Sequence, residues 1–452
     1  MKKIYIMLML VFVGTMALAQ TSVWHGDRQL WIQGEGTESS PYLIESADNL
    51  AYLAYVVNKG YDTQDLYFLL TTDIDLNGSE DLQWVPIGLG NKWFNEDGCD
   101  RGFPNGNGVT ANAYFRGHFD GGDHSISNIY INGDGIGGLF GYVAGSNNDS
   151  FAVIENVFVT SGYIKGNDCA GIVANAQNTL VSRCWNGAAV EGSSVGGIVG
   201  TRAGKVYNCY NVGNLSGKNV GGIVGGNQPV LEIVECYNKG EITATGFGGG
   251  ITSFARGTII NNCYNTGNVS CITEDNMIAT GGLVGAVQLR CTITNCYNVG
   301  DVSSVNNMGC LIGMPSSNNT VENSYYLSTC TESEYGEPKD PDYMRSQEFV
   351  DALNGPHRDQ VWAMDESNTN EGFPVLTKNN LAVEEASVAA FIVYPNPAQE
   401  CFTIVGTGTM RIANVLGQKI MSKEINGMET IALPKGMYFV TLNGKTQKIV
   451  VE

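Results

Sequence analysis

Histidines and carboxylates cluster in one short stretch of the chain. His118, Asp120, Asp123 and His124 lie there within seven residues (118–124), and imidazole and carboxylate groups at this spacing could move protons or hold a metal ion. A glycine- and aspartate-rich turn that leads into an alternating strand explains the same residues without any chemistry. We favour the turn, and we predict no catalytic residue, no metal ion and no cofactor.

Six aromatic residues recur at one position of a repeated phrase and form a second candidate site, a ligand platform. They are Trp185, Tyr210, Tyr237, Tyr264, Tyr297 and Tyr325. If the rings face outward, they form a stripe suited to sugar rings or to a flat partner surface. If they face inward, they stack as part of the core, and the sequence leaves both interpretations open.

Two phrases alternate between residues 137 and 326. One is a glycine-flanked apolar strand, such as GGIVG at 196–200, and the other is an apolar and polar phrase ending in an aromatic residue, such as VYNCYNVG at 206–213. Equivalent positions recur about every 25 to 33 residues, a period typical of arrays in which no single unit can bury its own apolar face. The pattern predicts an all-β chain whose body is a right-handed β-helix, or solenoid, of about seven coils.

The cysteine and the aromatic residue of the second phrase are neighbours in sequence, so they face opposite sides of a regular strand. The recurring cysteines are Cys184, Cys209, Cys236, Cys263 and Cys296. We expect them to pack as a ladder of small apolar residues rather than as disulfides. The apolar residue that opens each phrase shares its side with the aromatic residue, which conflicts with buried cysteines unless a bulge breaks the alternation.

Two further predictions concern the same repeats. An asparagine follows the first five of the six aromatic residues and is expected to form a ladder of left-handed turns, at Asn186, Asn211, Asn238, Asn265 and Asn298. Cys271 and Cys291 lie in the longest repeat and are the pair that we would test first for a disulfide.

The ends of the array need caps, because a solenoid exposes an apolar cross-section at each end. Residues 20–112 are predicted to be a mixed α/β N-terminal cap, with a helix that begins after Ser46 and ends before Gly60. Residues 113–330 form the solenoid, 331–377 the C-terminal cap with a helix at 344–354, and 378–390 a linker. Residues 391–452 are expected to be a small β-sandwich with about seven strands.

Composition and the first residues indicate an exported chain. Residues 1–19 carry two lysines, an apolar run and a small-residue cleavage site, as a secretory signal peptide does. No later stretch is apolar for long enough to span a membrane. The chain has 25 basic and 45 acidic residues, a net charge of −20, so its surface repels phosphate backbones and we expect no nucleic-acid partner.

The repeats and the chain end resemble two known families. The GGIVG and GGLVG phrases, with GTESSPYLIESADNLAYLAYVVN and HFDGGDHSISNIYI before them, look like GLUG repeat proteins of Bacteroidetes-type bacteria. YPNP at 394–397, NVLGQ at 414–418, LPKGMY at 433–438 and KIVV at 448–451 resemble the C-terminal sorting domain of the type IX secretion system. The resemblance assigns the sorting signal to Pro395, Asn396, Pro397, Gly417, Gly436, Tyr438 and Lys448.

This resemblance implies delivery by the type IX secretion machinery, through the periplasm, to the cell surface or the medium, with possible attachment to surface lipopolysaccharide. The function that we favour is a non-enzymatic, adhesin-like protein that binds a glycan, a host protein or a neighbouring cell. A β-helix polysaccharide lyase or glycoside hydrolase is one alternative, although the basic residues of the array do not converge on one groove. A structural component of a surface layer is the other.

Overall fold

The fold was analysed in a computed structural model. It describes residues 21–94, 109–146, 151–226, 230–273, 278–305, 307–330, 333–355, 360–377, 392–394, 398, 401–414, 418–442 and 445–451. The predicted signal peptide and linker lie outside these residues. No helix among them is long and apolar enough to cross a membrane.

The body of the chain is a parallel β-solenoid, as the repeats predict. Each coil passes in turn through four sheets, here numbered 1 to 4, and each strand pairs in parallel with its equivalents in the coils before and after. Sheet 1 consists of Tyr42–Ile44, Tyr67–Leu70, His118–Asp120, Ala152–Glu155, Thr179–Ser182, Ala203–Tyr207, Val230–Val234, Ile259–Asn261, Thr292–Thr294 and Thr320–Glu322. Sheet 2 consists of Ser22–Val23, Ile74–Asp75, Ser125–Ser127, Phe158–Val159, Trp185–Asn186, Tyr210–Asn211, Tyr237–Asn238, Tyr264–Asn265, Tyr297–Asn298, Tyr325–Leu327 and Glu337–Lys339.

The other two sheets complete each coil. Sheet 3 consists of Ile129–Asn132, Gly162–Lys165, Asp168–Ala170, Ala189–Gly196, Leu215–Gly221, Ile242–Ala244, Gly248–Gly249, Val269–Cys271, Ala279–Gly281, Val302–Ser304 and Asn307–Gly309. Sheet 4 consists of Phe140–Ala144, Val173–Gln177, Val199–Thr201, Thr252–Arg256, Val284–Leu289 and Ile312–Met314. Parallel bridges from Val199 to Val224 and from Val224 to Thr252 join the two halves of sheet 4.

A residue with a left-handed backbone conformation lies at the corner between sheets 1 and 2. It explains which way the cysteines and the aromatic residues of the second phrase face. These corner residues are Asn156, Arg183, Asn208, Glu235, Asn262, Asn295 and Asn323, with φ between 45° and 55°. The turn breaks the two-residue alternation, so Val206 before it and Cys209 after it both point into the solenoid core, whereas Tyr210 points out of it. The two patterns are therefore reconciled by a left-handed turn between the strands rather than by a bulge within a strand.

The asparagines after the aromatic residues form a ladder, but not of left-handed turns. They lie in the short strands of sheet 2 and are buried. The Nδ2 atom of Asn211 donates to Oδ1 of Asn238 at 2.8 Å, and Nδ2 of Asn238 donates to Oδ1 of Asn265 at the same distance. Each Nδ2 also donates to the carbonyl two residues ahead, as Asn211 does to Gly213. The prediction that these asparagines adopt left-handed turns was wrong, because the corner residues between sheets 1 and 2 supply the left-handed turn.

The asparagine ladder explains why the two phrases occur together. A Cβ atom on Gly222, the second glycine of a GGIVG phrase, would lie 2.5 Å from Cβ of Asn238 and 2.0 Å from the carbonyl oxygen of Gly250. Gly197 and Gly250 meet the ladder residues Asn211 and Asn265 in the same way. The glycine is needed because a buried side chain packs directly against the backbone across the coil.

The cysteines follow the expected ladder, but the predicted disulfide is wrong. The five repeat cysteines are buried and free, and the backbone N–H of Cys209 points to Sγ of Cys236 at 3.4 Å. Cys271 and Cys291 are also free, because one lies in sheet 3 and the other precedes a strand of sheet 1. A disulfide instead joins Cys310 to Cys330, whose Cα atoms are 5.9 Å apart.

Most strands of the N-terminal region extend sheets 1 and 2 of the solenoid, and one hairpin forms a separate sheet. The predicted helix is confirmed at Ala47–Asn58, and the Ser46 side chain caps it by accepting from the backbone N–H of Asn49 at 3.2 Å. Tyr67–Leu70 is a strand of sheet 1, and Ile87 forms a parallel bridge to Phe140. An antiparallel hairpin of Gly90–Phe94 and Val109–Ala113 projects from this region.

Residues 341–377 pack on the side of the solenoid instead of closing its far end. They contain two helices, Pro341–Met344 and Gln347–Asn354, and an antiparallel pair, Trp362–Ala363 with Val375–Leu376. Their buried residues form one cluster with the aromatic residues of sheet 2, which otherwise point out of the solenoid. At the far end, the last strand of sheet 2 is Glu337–Lys339, in which Pro338 pairs with Tyr326.

The C-terminal unit is an antiparallel sheet with its own core. Its strands are Ile392–Tyr394, Cys401–Asn414, Lys419–Ala432, Gly436–Leu442 and Lys445–Val451. The described residues of this unit form five strands where the sequence predicts about seven, and two of the five are 14 residues long. Glycines that resemble turn signals, such as Gly406 and Gly427, are instead paired opposite each other within these strands.

Candidate functional site

The aromatic residues of sheet 2 form a continuous stack. Ring centroids are 5.6 Å apart from Trp185 to Tyr210, 4.7 Å from Tyr210 to Tyr237, 4.6 Å from Tyr237 to Tyr264 and 5.0 Å from Tyr264 to Tyr297. The planes of neighbouring rings differ by 8° or less. The in-register pairing of sheet 2 produces this stack, because it places equivalent residues one strand spacing apart.

The stack is covered and does not present a platform. Exposure of the six residues is between 0 and 6 %. The Trp362 ring lies 5.8 Å from Tyr264 and 5.5 Å from Tyr297, and the Tyr297 hydroxyl donates to the Pro374 carbonyl at 2.5 Å. Burial raises the pKa of Tyr297 well above its ordinary value. The structure thus contradicts an exposed carbohydrate platform at Trp185, Tyr210, Tyr237, Tyr264, Tyr297 and Tyr325.

The cysteine ladder is chemically inert for a similar reason. Burial raises the pKa of Cys209, Cys236, Cys263 and Cys296 well above the ordinary thiol value. The thiolate is the reactive form of cysteine, so these side chains act as small apolar residues of the core.

We predict that thiol reagents react with Cys401 and do not react with these buried cysteines in the folded protein. At pH 8, iodoacetamide should modify Cys401, which is exposed, and leave Cys236 unmodified until the protein is unfolded. Peptide mass spectrometry of native and denatured samples would measure this difference. Modification of native Cys236 at a rate near that of Cys401 would contradict the buried ladder.

The candidate acid/base residues are held in separate pairs on the outer face of the solenoid. Nε2 of His118 lies 2.6 Å from Oε1 of Glu155, whose other oxygen accepts from Arg183 at 3.0 Å. Oδ1 of Asp120 accepts from the backbone N–H of Gly122 at 2.9 Å and from Nδ2 of Asn156 at 2.7 Å. These contacts join neighbouring coils and occupy the groups that chemistry would need.

The other two members of the cluster serve the turn. Asp123 has φ of 60°, and His124 lies 3.4 Å from Asp73. Burial would raise the pKa of Asp73, but hydrogen bonds from Ser125 and His124 outweigh it and lower the pKa. No group of three or more His, Cys, Asp or Glu side chains placed to hold a metal ion occurs among the described residues.

The Glu155 pair predicts a pH-dependent contribution to stability. The hydrogen bond from His118 lowers the pKa of Glu155 from 4.5, burial opposes this, and Arg183 adds to the lowering. A lowered folded pKa stabilises the fold above the unfolded pKa, and this stabilisation is lost as the pH falls. Glu155→Gln should therefore cost about 1–2 kcal/mol at pH 7 and much less at pH 3, measured by urea unfolding at both pH values. Glu38→Gln, at an exposed position, should cost little at either, and an equal Glu155→Gln cost at both would contradict the pairing.

A pocket at the N-terminal end of the solenoid was not expected from the sequence. This N-terminal pocket has a volume of about 450 Å³ and lies between the helix Ala47–Asn58 and residues 81–85, within the size range of small-molecule sites. Trp24 and Trp84 are among its lining residues, with ring centroids 5.5 Å and ring planes 74° apart, and both side chains are buried. Tyr55, Arg28 and Lys59 line its rim and are exposed.

One signal for this pocket was present in the sequence. Tyr55 and Lys59 are four residues apart and therefore share the helix face away from Leu50, Leu53 and Val57. The signal did not show that Trp24 and Trp84, which are distant in sequence, meet beneath that face.

The C-terminal sheet carries part of the predicted sorting signal. The Tyr438 hydroxyl donates to the Pro434 carbonyl at 2.8 Å, next to Gly436 at the start of its strand, and the backbone of Lys448 pairs with Phe439. Pro395, Asn396, Pro397 and Gly417 lie outside the described residues. Residues 392–452 match the family described as "Secretion system C-terminal sorting domain".

This unit is a type IX sorting domain. The protein is therefore exported by the type IX secretion system to the cell surface or the medium, and its sorting domain interacts with the secretion machinery. The match covers the C-terminal unit alone and assigns no activity to the solenoid.

The chain is also similar to two curated proteins and to a solved structure. The chain is 33 % identical over 172 residues to "Halomucin" of Haloquadratum walsbyi, which covers 37 % of this chain and 2 % of that protein. It is 32 % identical over 161 residues to "Putative Gly-rich membrane protein" of Evansella cellulosilytica, covering 31 % of this chain and 17 % of that one. A solved structure, a "putative immunoglobulin A1 protease from Bacteroides ovatus", superposes with a TM-score of 0.48 at 20 % identity, covering 76 % of this chain and 94 % of that chain. The chain thus spans a small part of the curated relatives.

Proposed function

We propose that the exported protein is a non-enzymatic, adhesin-like binding protein that acts at the cell surface or in the medium, with attachment to lipopolysaccharide as its means of retention. The observation that carries this proposal is the N-terminal pocket. Its lining combines the exposed side chains of Tyr55 and Val85 with the polar side chains of Arg28 and Lys59. This is the composition of small-ligand sites, in which apolar surface supplies contact and a few polar groups supply orientation.

The lining of the pocket suits binding better than hydrolysis. Among the described residues that line it, Asp81 is the single carboxylate, whereas glycoside hydrolases ordinarily use a pair. The histidines and carboxylates of residues 118–124 are engaged in the structural contacts described above. Both observations support a protein that holds its ligand unchanged.

A glycan array probed with the exported protein would test this function. Binding should fall at least about tenfold in Tyr55→Ala, because the exposed Tyr55 ring lines the rim of the pocket. Tyr61→Ala is the matched control, since Tyr61 is 54 % exposed and lies outside the pocket.

A reducing-sugar assay on the bound glycans should show no release. Release that is abolished by His118→Ala or Asp120→Ala would identify an enzyme instead. Binding that is unchanged in Tyr55→Ala would show that the pocket is not the site.

A further inference from the structure

The last coil ends in a backbone donor that points past the edge of sheet 3. In four earlier coils, the N–H of one aliphatic residue donates to a carbonyl of the next coil, and these residues are Val190, Leu215, Ile242 and Val269. Val269, for example, donates to the Asp301 carbonyl at 2.8 Å. The equivalent residue of the last coil is Val302, which lies in the final strand Val302–Ser304. Among the described residues, none accepts a hydrogen bond from the Val302 N–H.

A pocket of about 150 Å³ lies beside this donor. This end pocket is lined by residues 298–302 together with Met308, Leu327 and Cys330. In the preceding coil, residues 265–269 are paired with 298–302. After Leu327 the chain turns, with the Cys330 N–H donating to the Leu327 carbonyl at 2.9 Å, and a disulfide joins Cys330 to Cys310. None of the described residues therefore forms a further rung of sheet 3 over residues 298–302.

The rungs within the array show which residue fits above Gly300. A Cβ atom on Gly300 would lie 2.1 Å from the carbonyl oxygen of Gly267, and a Cβ on Gly267 would lie 2.1 Å from that of Gly240. Backbone thus meets backbone at this point of each rung, and only glycine has no side chain to clash. A segment added over the last coil must carry glycine above the Gly300 carbonyl.

The residue after this glycine is selected by Asp301. Oδ1 of Asn268 accepts from the backbone N–H of Asp301 at 3.1 Å, as Oδ1 of Asn214 accepts from that of Glu241 at 3.2 Å. The Asp301 carboxylate is exposed and can accept from an added backbone N–H in the same way. An acid in the added segment would lie beside Asp301 and repel it. Asparagine fits, because Asn268 already lies between Glu241 and Asp301.

We propose that the last coil binds an extended segment of a partner protein as an added parallel strand of sheet 3. The segment has the sequence Gly–Asn–aliphatic–Ser or Thr, which the rungs themselves carry as GNLS at 213–216 and GNVS at 267–270. Its asparagine carbonyl accepts from the Val302 N–H, and its aliphatic side chain covers Val302 beside Met308 and Leu327. A second copy of the chain does not supply the segment, because its own GNLS and GNVS are paired within its coils. This surface is separate from the N-terminal pocket and adds a protein partner to the proposed function.

A labelled peptide would test this interaction. Fluorescein-labelled VGNLSG, the sequence of residues 212–217, should bind the full chain saturably, as measured by fluorescence anisotropy. The same peptide with Gly213→Ala carries one extra methyl group, which would clash with the Gly300 carbonyl oxygen. Its affinity should be at least about tenfold lower.

Two variants at one position separate binding from folding. Asp301→Ala removes the acceptor and should weaken binding of VGNLSG about tenfold, the loss expected for a charge-assisted hydrogen bond. Asp301→Asn keeps a side-chain oxygen, as Asn268 has, and should stay within about threefold of the unmodified protein. Val305→Ala is the control, since Val305 is 57 % exposed and lies outside the end pocket, and its affinity should be unchanged. Urea unfolding of all three should match the unmodified protein.

Four outcomes would overturn the inference. They are no saturable binding of VGNLSG, equal affinity for its Gly213→Ala form, and a folded Asp301→Ala variant that binds as well as the unmodified protein. The fourth is self-association of the full chain that Asp301→Ala abolishes, measured by analytical ultracentrifugation, because it would assign this edge to a second copy.

Discussion

Replacing Gly222 by alanine is expected to destabilise the solenoid by about 3 kcal/mol or more, although it adds a single methyl group. The new Cβ would lie 2.0 Å from the Gly250 carbonyl oxygen and 2.5 Å from Cβ of Asn238. Neither neighbour is the free end of a flexible side chain. The first belongs to the backbone of the next coil, and the second is held in the asparagine ladder by hydrogen bonds at 2.8 Å on both sides. Relief of the clash would require the coils to move apart.

Urea unfolding followed by circular dichroism would measure this cost. Gly133→Ala is the matched control, because a Cβ at Gly133 meets nothing within 4 Å, and its stability should change by less than about 0.5 kcal/mol. Equal stability of the two variants would show that the second glycine of the phrase is not required by packing against the ladder.

Replacing Trp362 by alanine is expected to cost about 3–5 kcal/mol, the range for truncation of a large buried aromatic residue. The ring contacts both Tyr264 and Tyr297, and its Nε1 donates to Oδ1 of the corner residue Asn262 at 3.1 Å. Truncation removes this packing and leaves a half-covered stack beneath residues 341–377. The loss should be confined to that side of sheet 2, because repeat arrays transmit instability mainly to neighbouring units.

Hydrogen exchange by residue would locate the effect, and urea unfolding would give its size. In Trp362→Ala, protection should fall first in residues 341–377 and in the adjoining strands of sheet 2. Tyr61→Ala truncates a ring that is 54 % exposed and should leave both measurements almost unchanged. Loss of protection throughout the solenoid would instead show that the segment is required to hold all the coils together.

The repeated sequence predicts the coils well because each coil uses the same physical solution. Glycines equivalent to Gly222 and asparagines equivalent to Asn238 recur because a buried amide packs against a residue without a side chain in the five coils that carry the asparagine. The repeat is therefore visible in the sequence. The facing of the rings could not be predicted, since it depends on a left-handed corner residue. That position holds asparagine at five of the seven corners but arginine at 183 and glutamate at 235, so the residue type marks it only in part.

The contacts between distant segments account for the rest. The burial of Tyr297 depends on Pro374 and Trp362, which no periodicity links to the repeat. The N-terminal pocket likewise joins Trp24, Tyr55 and Trp84 from three segments. By contrast, Ser46 and the apolar face of the first helix are local signals, and that helix was predicted at its observed position.

The last strand of sheet 2 has a consequence for how molecules meet one another. A stack of parallel rungs with identical side chains offers a template on which another chain could add further rungs. Pro338 stands in the final strand and has no N–H to donate to an added rung. Glu337 and Lys339 beside it bring charge to the same edge. This edge of sheet 2 is therefore poorly suited to pairing with a strand of another molecule.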